Sequence, residues 1–220
     1  MARRTKQEAD ETREALLDAA EEVFLERGVS RASLDQVARA AGCTRGAVHW
    51  HFGDKLGLFL ALDERLLLYQ DEACQMLDGD GGCEPTSMPQ MFQWIGDAME
   101  RLERDPHRRR LLTVMLQRCE YVQEMAPALD RRRNADMAMR ERLLGFFQRA
   151  EARGEISPAW QPDQAARFLH ALISGLLTEW LNSGGQFSLS AQVRESLGLF
   201  LNCLCGVAQR ETAKVASPTC

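Results

Sequence analysis

Cationic and aromatic side chains are concentrated in the twelve residues TRGAVHWHFGDK, from Thr44 to Lys55. Arginine can donate two hydrogen bonds to a guanine edge, and Arg45 is the residue of this stretch with that chemistry. Hydroxyl, indole, imidazole and ammonium groups can donate to phosphate oxygens. The residues here that carry such groups are Thr44, Trp50, His51 and Lys55. This combination is typical of a surface that reads duplex DNA.

Basic residues are in local excess around this stretch, although the 220-residue chain has a formal net charge of -5. Between Gly28 and Lys55 there are four basic residues and two acidic ones, whereas residues 1–53 as a whole have eight basic and nine acidic. Arg4 and Lys6 belong to a short basic arm ahead of the first predicted helix, and such an arm can reach an adjacent minor groove. DNA binding needs a local cationic surface, so the negative net charge does not exclude it.

The elements that must position these side chains begin with a long helix and a short one. Apolar residues at three- and four-residue spacing predict a helix that is capped by Thr12 and ends at Gly28. A short helix at 34–41 follows, because Ser33 and Gln36 form a capping-box pattern in front of a second apolar stripe. This arrangement is the support that a recognition helix requires.

The third predicted helix, at 45–51, is the candidate recognition helix of a helix-turn-helix. Thr44 can cap it after the glycine break at Gly42. Because Gly46 and Ala47 are small residues, the outer face of this helix can approach a major groove about 12 Å wide. Most of the stretch from Thr44 to Lys55 is therefore predicted to lie on a slim, exposed helix.

The remainder of the chain also has helical periodicity, and the composition is rich in residues that favour helices. We predict an all-α fold with domains at 1–53 and 54–210, a flexible tail at 211–220 and a linker at 78–89. The last two helices have apolar residues on two sides, so one face of each can pack against a second copy of the chain. The six helices predicted after the recognition helix span 55–77, 87–104, 106–123, 127–153, 162–183 and 189–209.

Membrane, secretory and metal-binding classes are disfavoured. The longest uncharged apolar run, 168–178, is too short to cross a bilayer, and the N-terminus lacks the apolar segment of a secretory signal. The seven scattered cysteines include no C-x-x-C pair and indicate mostly buried thiols of a cytoplasmic protein. Cys43, His49 and His51 lack a fourth ligand, so we predict no metal and no cofactor.

An enzyme is the main alternative class. The sequence has no nucleophile elbow, phosphate-binding loop, zinc-protease motif or dinucleotide-binding motif. Cys119 and His170 could form a nucleophile and base pair, but their spacing offers no third group to orient the base. We therefore predict no enzymatic activity.

The run TREALLDAAEEVFLERGVSRASLDQVARAAGCTRGAVHWHFGDKLGLF resembles the DNA-binding domain of TetR-family repressors. Farther along, RRRLLTVMLQRCEYVQEM, ARGEI and GLLTEWL are similar to the ligand domain of the AcrR-type subgroup, whose members repress multidrug efflux pumps. The resemblance implies a nine-helix, two-domain TetR-like fold with a three-helix DNA-binding domain and a helical domain for ligand binding and dimerisation. It also implies a homodimer, paired through its two C-terminal helices, that binds palindromic double-stranded operator DNA and releases it when a hydrophobic small molecule binds. A regulator of a lipid or stress pathway, or one without an inducer, is the alternative within the family.

The resemblance also assigns DNA contacts to individual residues. It implies that the Ser33 hydroxyl touches a phosphate. His49 stands where the family usually has tyrosine, and histidine keeps a donor but shortens its reach. A core position is the alternative for Trp50, and without the resemblance Arg45 could equally be a solvated surface residue. The remaining DNA contacts that it implies are Thr44, Arg45, Gly46, Ala47, His49, Trp50, His51 and Lys55.

The resemblance further implies a large apolar cavity among the fourth to eighth helices. Leu112 and Leu116 stand where relatives often have polar residues, so we expect a preference for large hydrophobic compounds. For each position of the cavity, ordinary packing in a helical core is the alternative. The positions of this chain that match the family's cavity are Leu66, Leu67, Tyr69, Gln70, Leu112, Met115, Leu116, Cys119, Met139, Leu143, His170, Ile173, Ser174 and Leu177.

Overall fold

The computed structural model describes residues 6–78, 85–121 and 123–206, with side chains for all of these except 67–78 and 123. In this part of the chain there are nine α-helices, one short 3-10 helix at Gln123–Met125 and no strand. The predicted all-α fold is confirmed. The helices are α1 (Lys6–Arg27), α2 (Leu34–Ala40), α3 (Arg45–Phe52), α4 (Lys55–Asp78), α5 (Met88–Arg104), α6 (Pro106–Gln117), α7 (Ala126–Ala152), α8 (Pro162–Asn182) and α9 (Leu189–Leu204).

The chain divides into two compact units. The first unit comprises residues 1–70 and 106–133, so α1, α2 and α3 share it with most of α4, with α6 and with the start of α7. The second unit comprises residues 71–105 and 134–220 and contains α5, the rest of α7, α8 and α9. The helix-turn-helix is therefore built together with α6, against which α1 packs.

Apolar side chains from the first four helices fill the core of the first unit. On α1, Leu16, Leu17 and Phe24 are fully buried, as the three- and four-residue spacing predicts. The rings of Phe24 and Phe59 have centroids 6.5 Å apart, so α1 packs on α4. Val48 of α3 is buried as well, which anchors the inner side of the recognition helix.

Packing between α5 and α9 forms much of the core of the second unit. The rings of Phe92 and Phe200 are stacked, with centroids 5.9 Å apart. Arg194 Nη2 donates to Asp97 Oδ1 (2.7 Å) and to Glu100 Oε2 (2.8 Å). Apolar contact and charge pairing together hold α9 in register on α5.

Two helix boundaries differ from the predicted ones at the ends of the described segments. α1 begins at Lys6, so the prediction that Thr12 caps it is wrong. Thr12 lies inside the helix, and its hydroxyl donates to the carbonyl of Glu8 (2.7 Å). α9 ends at Leu204, earlier than predicted, and Gly206 follows in a left-handed conformation with φ of 69°.

The end of α6 also differs, because α6 stops at Gln117 whereas the prediction continued to residue 123. The N–H of Val29, in the loop after α1, donates to the carbonyl of Arg118 (2.8 Å). The hydroxyl of Tyr121 donates to the carbonyl of Met115 (2.6 Å). These two bonds, one tertiary and one local, use carbonyls that a longer helix would need, so the chain leaves the helix here.

Residues 79–84 of the predicted linker and the predicted tail lie outside the described residues. Among the residues that are described, no helix is both long and apolar enough to cross a membrane. Four cysteines are described as free thiols: Cys43 and Cys119 are half-buried, whereas Cys203 and Cys205 are exposed. The prediction of mostly buried thiols is therefore wrong for Cys203 and Cys205.

Candidate nucleic-acid interface

The start of α2 is held by a reciprocal capping box. The Gln36 N–H donates to Ser33 Oγ (3.3 Å), and the Ser33 N–H donates to Gln36 Oε1 (2.9 Å). The predicted cap is confirmed. Because Ser33 is exposed and its Oγ accepts in this cap, the hydroxyl can still donate to a phosphate.

The turn before α3 and the cap of α3 orient the recognition helix. Gly42 has φ of 64°, a left-handed conformation that glycine adopts without strain from a Cβ. Thr44 caps α3 by accepting a hydrogen bond from the Ala47 N–H at its Oγ1 (3.2 Å). Since Val48 is fully buried, the opposite side of α3 is directed to solvent.

The outer side of α3 carries the side chains that the resemblance assigns to DNA. Trp50 is 73% exposed, so the alternative of a core position is wrong. The Trp50 ring meets the half-buried His51 ring edge-on, with centroids 4.4 Å apart. The other assigned residues in and before α3 are exposed or half-exposed: Thr44, Arg45, Gly46, Ala47 and His49.

Arg45 lies beside a carboxylate that the sequence analysis did not single out. Its Nη1 is 3.6 Å from Asp35 Oδ2, and both side chains are exposed. An exposed pair of this kind contributes about 0–1 kcal/mol to stability. The guanidinium can therefore exchange Asp35 for a guanine edge. Asp35 is in the first turn of α2, and no local pattern links the two positions.

Lys55 has a side chain that is less exposed than is expected for a residue that contacts a DNA phosphate. Its side chain is 19% exposed, its Nζ donates to the carbonyl of Ser30 (3.1 Å), and the same atom is 3.7 Å from Glu124 Oε1. Asp54 caps α4 separately, since its Oδ1 accepts from the Gly57 N–H (2.8 Å). Sequence reasoning missed Ser30 and Glu124 because both contacts join distant parts of the chain.

The predicted basic arm is described only in part. Arg4 lies outside the described residues. Lys6 is exposed and is the first residue of α1, so the prediction that it precedes the helix is wrong. A minor-groove role for Arg4 and Lys6 stays a prediction.

A buried charge cluster joins α1 to α6 in the first unit. The Glu21 side chain is 2% exposed, and Arg110 Nε donates to its Oε1 (2.6 Å). His107 Nδ1 lies 2.9 Å from Glu21 Oε2, a buried oxygen that makes no hydrogen bond of good geometry. An imidazole tautomer with its proton on Nδ1 can donate to this oxygen. Separating a buried carboxylate from its cations is costly, so these contacts hold α1 and α6 together.

Ion pairs also join α4 to its neighbours in the first unit. Arg65 Nη1 donates to Asp18 Oδ1 on α1 (2.8 Å), and Arg131 Nε on α7 is 3.0 Å from Asp63 Oδ2. Burial raises the pKa of the Asp63 carboxyl group, and Arg131 opposes this shift. The helix that follows the recognition helix is thus held on two sides.

The predicted ligand-binding residues fall into both units, and their role stays a prediction. Leu66, Leu112 and Met115 are buried in the first unit, and Leu143 is buried in the second. Ser174 on α8 is exposed. The side chains of Leu67, Tyr69 and Gln70 lie outside the described residues. The half-buried members are Leu116 and Cys119 in the first unit and Met139, His170, Ile173 and Leu177 in the second.

The two candidates for nucleophilic chemistry have environments that disfavour it. Burial raises the pKa of the Cys119 thiol to about 11, so the thiol is protonated at neutral pH. Burial lowers the pKa of His170, partly opposed by Asp136, whose Oδ1 is 3.9 Å from His170 Nε2. Within the described part of the chain, no group of three or more His, Cys, Asp or Glu side chains is placed to hold a metal.

Known proteins match both halves of the chain. Residues 16–62 match the family model of bacterial regulatory proteins of the tetR family, and residues 89–205 match the C-terminal region of MAATS-type transcriptional repressors. The transcriptional repressor BepR of Brucella suis is 42% identical over 187 residues, which cover 85% of this chain and 88% of BepR. The transcriptional regulator AcrR of Shigella flexneri is 32% identical over 201 residues, which cover 91% of this chain and 93% of AcrR.

A solved structure has the same fold. NalD, the secondary repressor of the MexAB-OprM multidrug efflux pump in Pseudomonas aeruginosa, superposes with a TM-score of 0.79 at 37% identity. The match covers 89% of this chain and 98% of NalD. These matches confirm the predicted family and, because the family consists of transcriptional regulators, the prediction that the chain is not an enzyme. The chain belongs to the TetR family of bacterial transcriptional regulators.

Proposed function

We propose that the chain is a dimeric, ligand-responsive repressor that binds a palindromic operator and controls a multidrug efflux pump operon from the cytoplasm. The observation that carries the DNA-binding part is the exposure of Arg45 and Trp50 on a helix whose other side is buried at Val48. The efflux-pump part is supported by NalD, which represses such a pump and whose structure matches this chain over nearly the whole length of NalD.

Two recognition helices are needed because one supplies too few base contacts for a specific site. A dimer that sets two copies of α3 about 34 Å apart reads two half-sites one helical turn apart. Each copy contributes Arg45 to base readout, and Ser33, Thr44 and Trp50 to the phosphates on the rim of the groove. The phosphate contacts fix the position of the protein on the duplex, and Arg45 recognises the base sequence.

Exposed apolar side chains on α8 and α9 support a dimer interface on these helices. Leu199 is 64% exposed, and Phe168 is exposed as well. Gly175 and Gly198 have open space where a Cβ would stand, so a second backbone can approach closely there. Packing α8 and α9 of two copies into a four-helix arrangement removes this apolar surface from water.

Release of the operator requires an effector that prefers the conformation with displaced recognition helices. The effector lowers operator affinity by its difference in affinity for the two conformations, about 1–3 kcal/mol in typical cases. Hydrophobic drugs are the proposed effectors, because the ligand-binding positions carried over from the family are mostly apolar. A pump repressor that responds to exported compounds switches the pump on only while those compounds are present.

A selection experiment tests both parts of the proposal. The purified protein selects duplexes from a random pool, and fluorescence anisotropy then measures affinity for the enriched duplex with and without hydrophobic drugs and dyes. We expect an enriched palindrome and weaker binding in the presence of at least one hydrophobic compound. If no duplex sequence is enriched from the pool, the proposed sequence-specific DNA binding is wrong. Binding of sugars or nucleotides in preference to hydrophobic compounds contradicts the proposed effector class.

A further inference from the structure

The ammonium group of Lys55 is held inside the protein by two oxygens from distant segments. Its Nζ donates to the carbonyl of Ser30 (3.1 Å) and lies 3.7 Å from Glu124 Oε1. The side chain is only 19% exposed. The charge that the family resemblance assigns to an operator phosphate is therefore already engaged by a carboxylate of the same chain.

Glu124 is placed to give up this contact. It lies in the 3-10 helix Gln123–Met125, between α6 and α7, where Met125 is buried and fixes the backbone. The Glu124 side chain itself is 66% exposed, so water competes for its carboxylate and the pairing with Lys55 is weak. A phosphate that approaches α4 can replace the carboxylate without breaking a buried ion pair.

The neighbouring acidic residue cannot take the same role. Asp54 precedes Lys55, but its Oδ1 accepts the N–H of Gly57 (2.8 Å) and so caps α4. Asp54 therefore stabilises the helix start, whereas Glu124 faces the ammonium group from another element. The two carboxylates can be changed separately.

We propose that Glu124 sets operator affinity by competing with an operator phosphate for the Lys55 ammonium group. This inference rests on the proposed DNA-binding function and adds an affinity-determining residue to it. In the free protein the carboxylate offsets the Lys55 charge. In the complex the same carboxylate loses its partner and stands near the negative DNA backbone. The pairing in the free protein and the repulsion in the complex therefore both weaken DNA binding. Glu124 is a positioning residue, because it acts through Lys55.

The test compares single and double variants on one enriched duplex from the random pool and on a scrambled duplex. Glu124→Gln removes the charge, and Glu120→Gln makes the same change at an exposed residue of the same connection between α6 and α7. We expect Glu124→Gln to tighten binding about two- to fivefold, which corresponds to about 0.4–1 kcal/mol. The gain should be similar on both duplexes, because a phosphate contact carries no sequence information.

The decisive measurement is the effect of Glu124→Gln in a Lys55→Met background, where the gain should vanish. Lys55→Met alone should weaken binding and reduce the salt slope of log K by about one. If Lys55→Met unfolds, Lys55→Gln serves as the background, since its amide can donate to Ser30. Circular dichroism melts check that each variant is folded.

Each outcome supports or overturns the inference. No gain from Glu124→Gln, an equal gain from Glu120→Gln, or a gain that persists without Lys55 overturns it while wild-type DNA binding stands. Unchanged binding and salt slope in Lys55→Met overturn it too, because Lys55 then touches no phosphate. A wild-type protein that enriches no duplex overturns the proposed function itself and this inference with it.

Discussion

Arg45 is the side chain whose chemistry bears most directly on sequence recognition. It is exposed on α3, and its weak pairing with Asp35 leaves its guanidinium donors free to exchange. We expect Arg45→Ala to weaken binding to the enriched duplex by about 1–3 kcal/mol, or about 5- to 150-fold, and to reduce discrimination against a scrambled duplex. Competition anisotropy with both duplexes measures the two effects.

Arg39→Ala is the matched control, because it removes the same charge from the exposed side of α2. We expect it to weaken binding to both duplexes alike, as loss of a general electrostatic contribution does. An Arg45→Ala variant that also loses affinity uniformly would show that Arg45 contacts only phosphates.

The exposed side chains of the recognition helix were predictable, but their partners were not. The family resemblance of TRGAVHWHF placed Trp50 and Arg45 on the DNA-facing side, whereas the residues alone left a core position open for Trp50. The pairing of Arg45 with Asp35, and of Lys55 with Glu124, depends on tertiary placement. Periodicity assigns a residue to a face of one helix, and it does not report which carboxylate of another element meets that face.

The cluster between α1 and α6 is a charge contact between two elements of the first unit that centres on a buried carboxylate. Glu21 is buried, whereas Arg110 and His107 both reach solvent. We expect Arg110→Ala to cost about 2–3 kcal/mol of unfolding free energy, since it leaves a buried carboxylate with one partner. Glu21→Leu should cost less than about 1 kcal/mol, because the cations that remain can be hydrated. Urea denaturation measures both values.

The double variant Glu21→Leu/Arg110→Ala separates this explanation from loss of packing. Without the carboxylate, removing Arg110 should change stability little, so the double variant should match Glu21→Leu. Additive losses would mean that the Arg110 side chain stabilises α6 through its aliphatic carbons rather than through Glu21.

Element boundaries were predictable where a local cap sets them and not where a distant bond does. The Ser33 and Gln36 capping box and the Thr44 cap can be read from a few neighbouring residues, and both are present. The end of α6 depends on the Val29 N–H, which belongs to the loop after α1. A local pattern carries no record of such a bond, so the predicted helix ran too far.

At the scale of the whole molecule, the apolar surface of α9 should decide the oligomeric state. We expect Leu199→Glu to convert the dimer to a monomer, because the interface would have to bury an unpaired charge. The monomer should also lose the enriched palindrome, since a single recognition helix remains. Analytical ultracentrifugation and anisotropy measure these two results.

Met137→Glu is the control for Leu199→Glu. Met137 is 50% exposed and also lies in the second unit, but on α7. The proposed interface does not include α7, so this variant should remain dimeric and bind the duplex. If Met137→Glu dissociates the dimer and Leu199→Glu does not, the copies pair through a different face.

Effector binding and operator binding must change each other by the same factor if they are coupled. If saturating effector weakens operator binding tenfold, the affinities of all the effector molecules that the dimer binds must together fall tenfold in the operator complex, because the states form a closed thermodynamic cycle. We expect isothermal titration of a releasing drug to show this ratio with free protein and with protein saturated by duplex. If the Glu21 contacts between α1 and α6 carry the coupling, Glu21→Leu should reduce both factors together and leave drug affinity for the free protein nearly unchanged. If the two factors differ, the drug releases the operator by binding to the duplex itself. Drug binding to DNA is not part of the cycle of binding events on the protein.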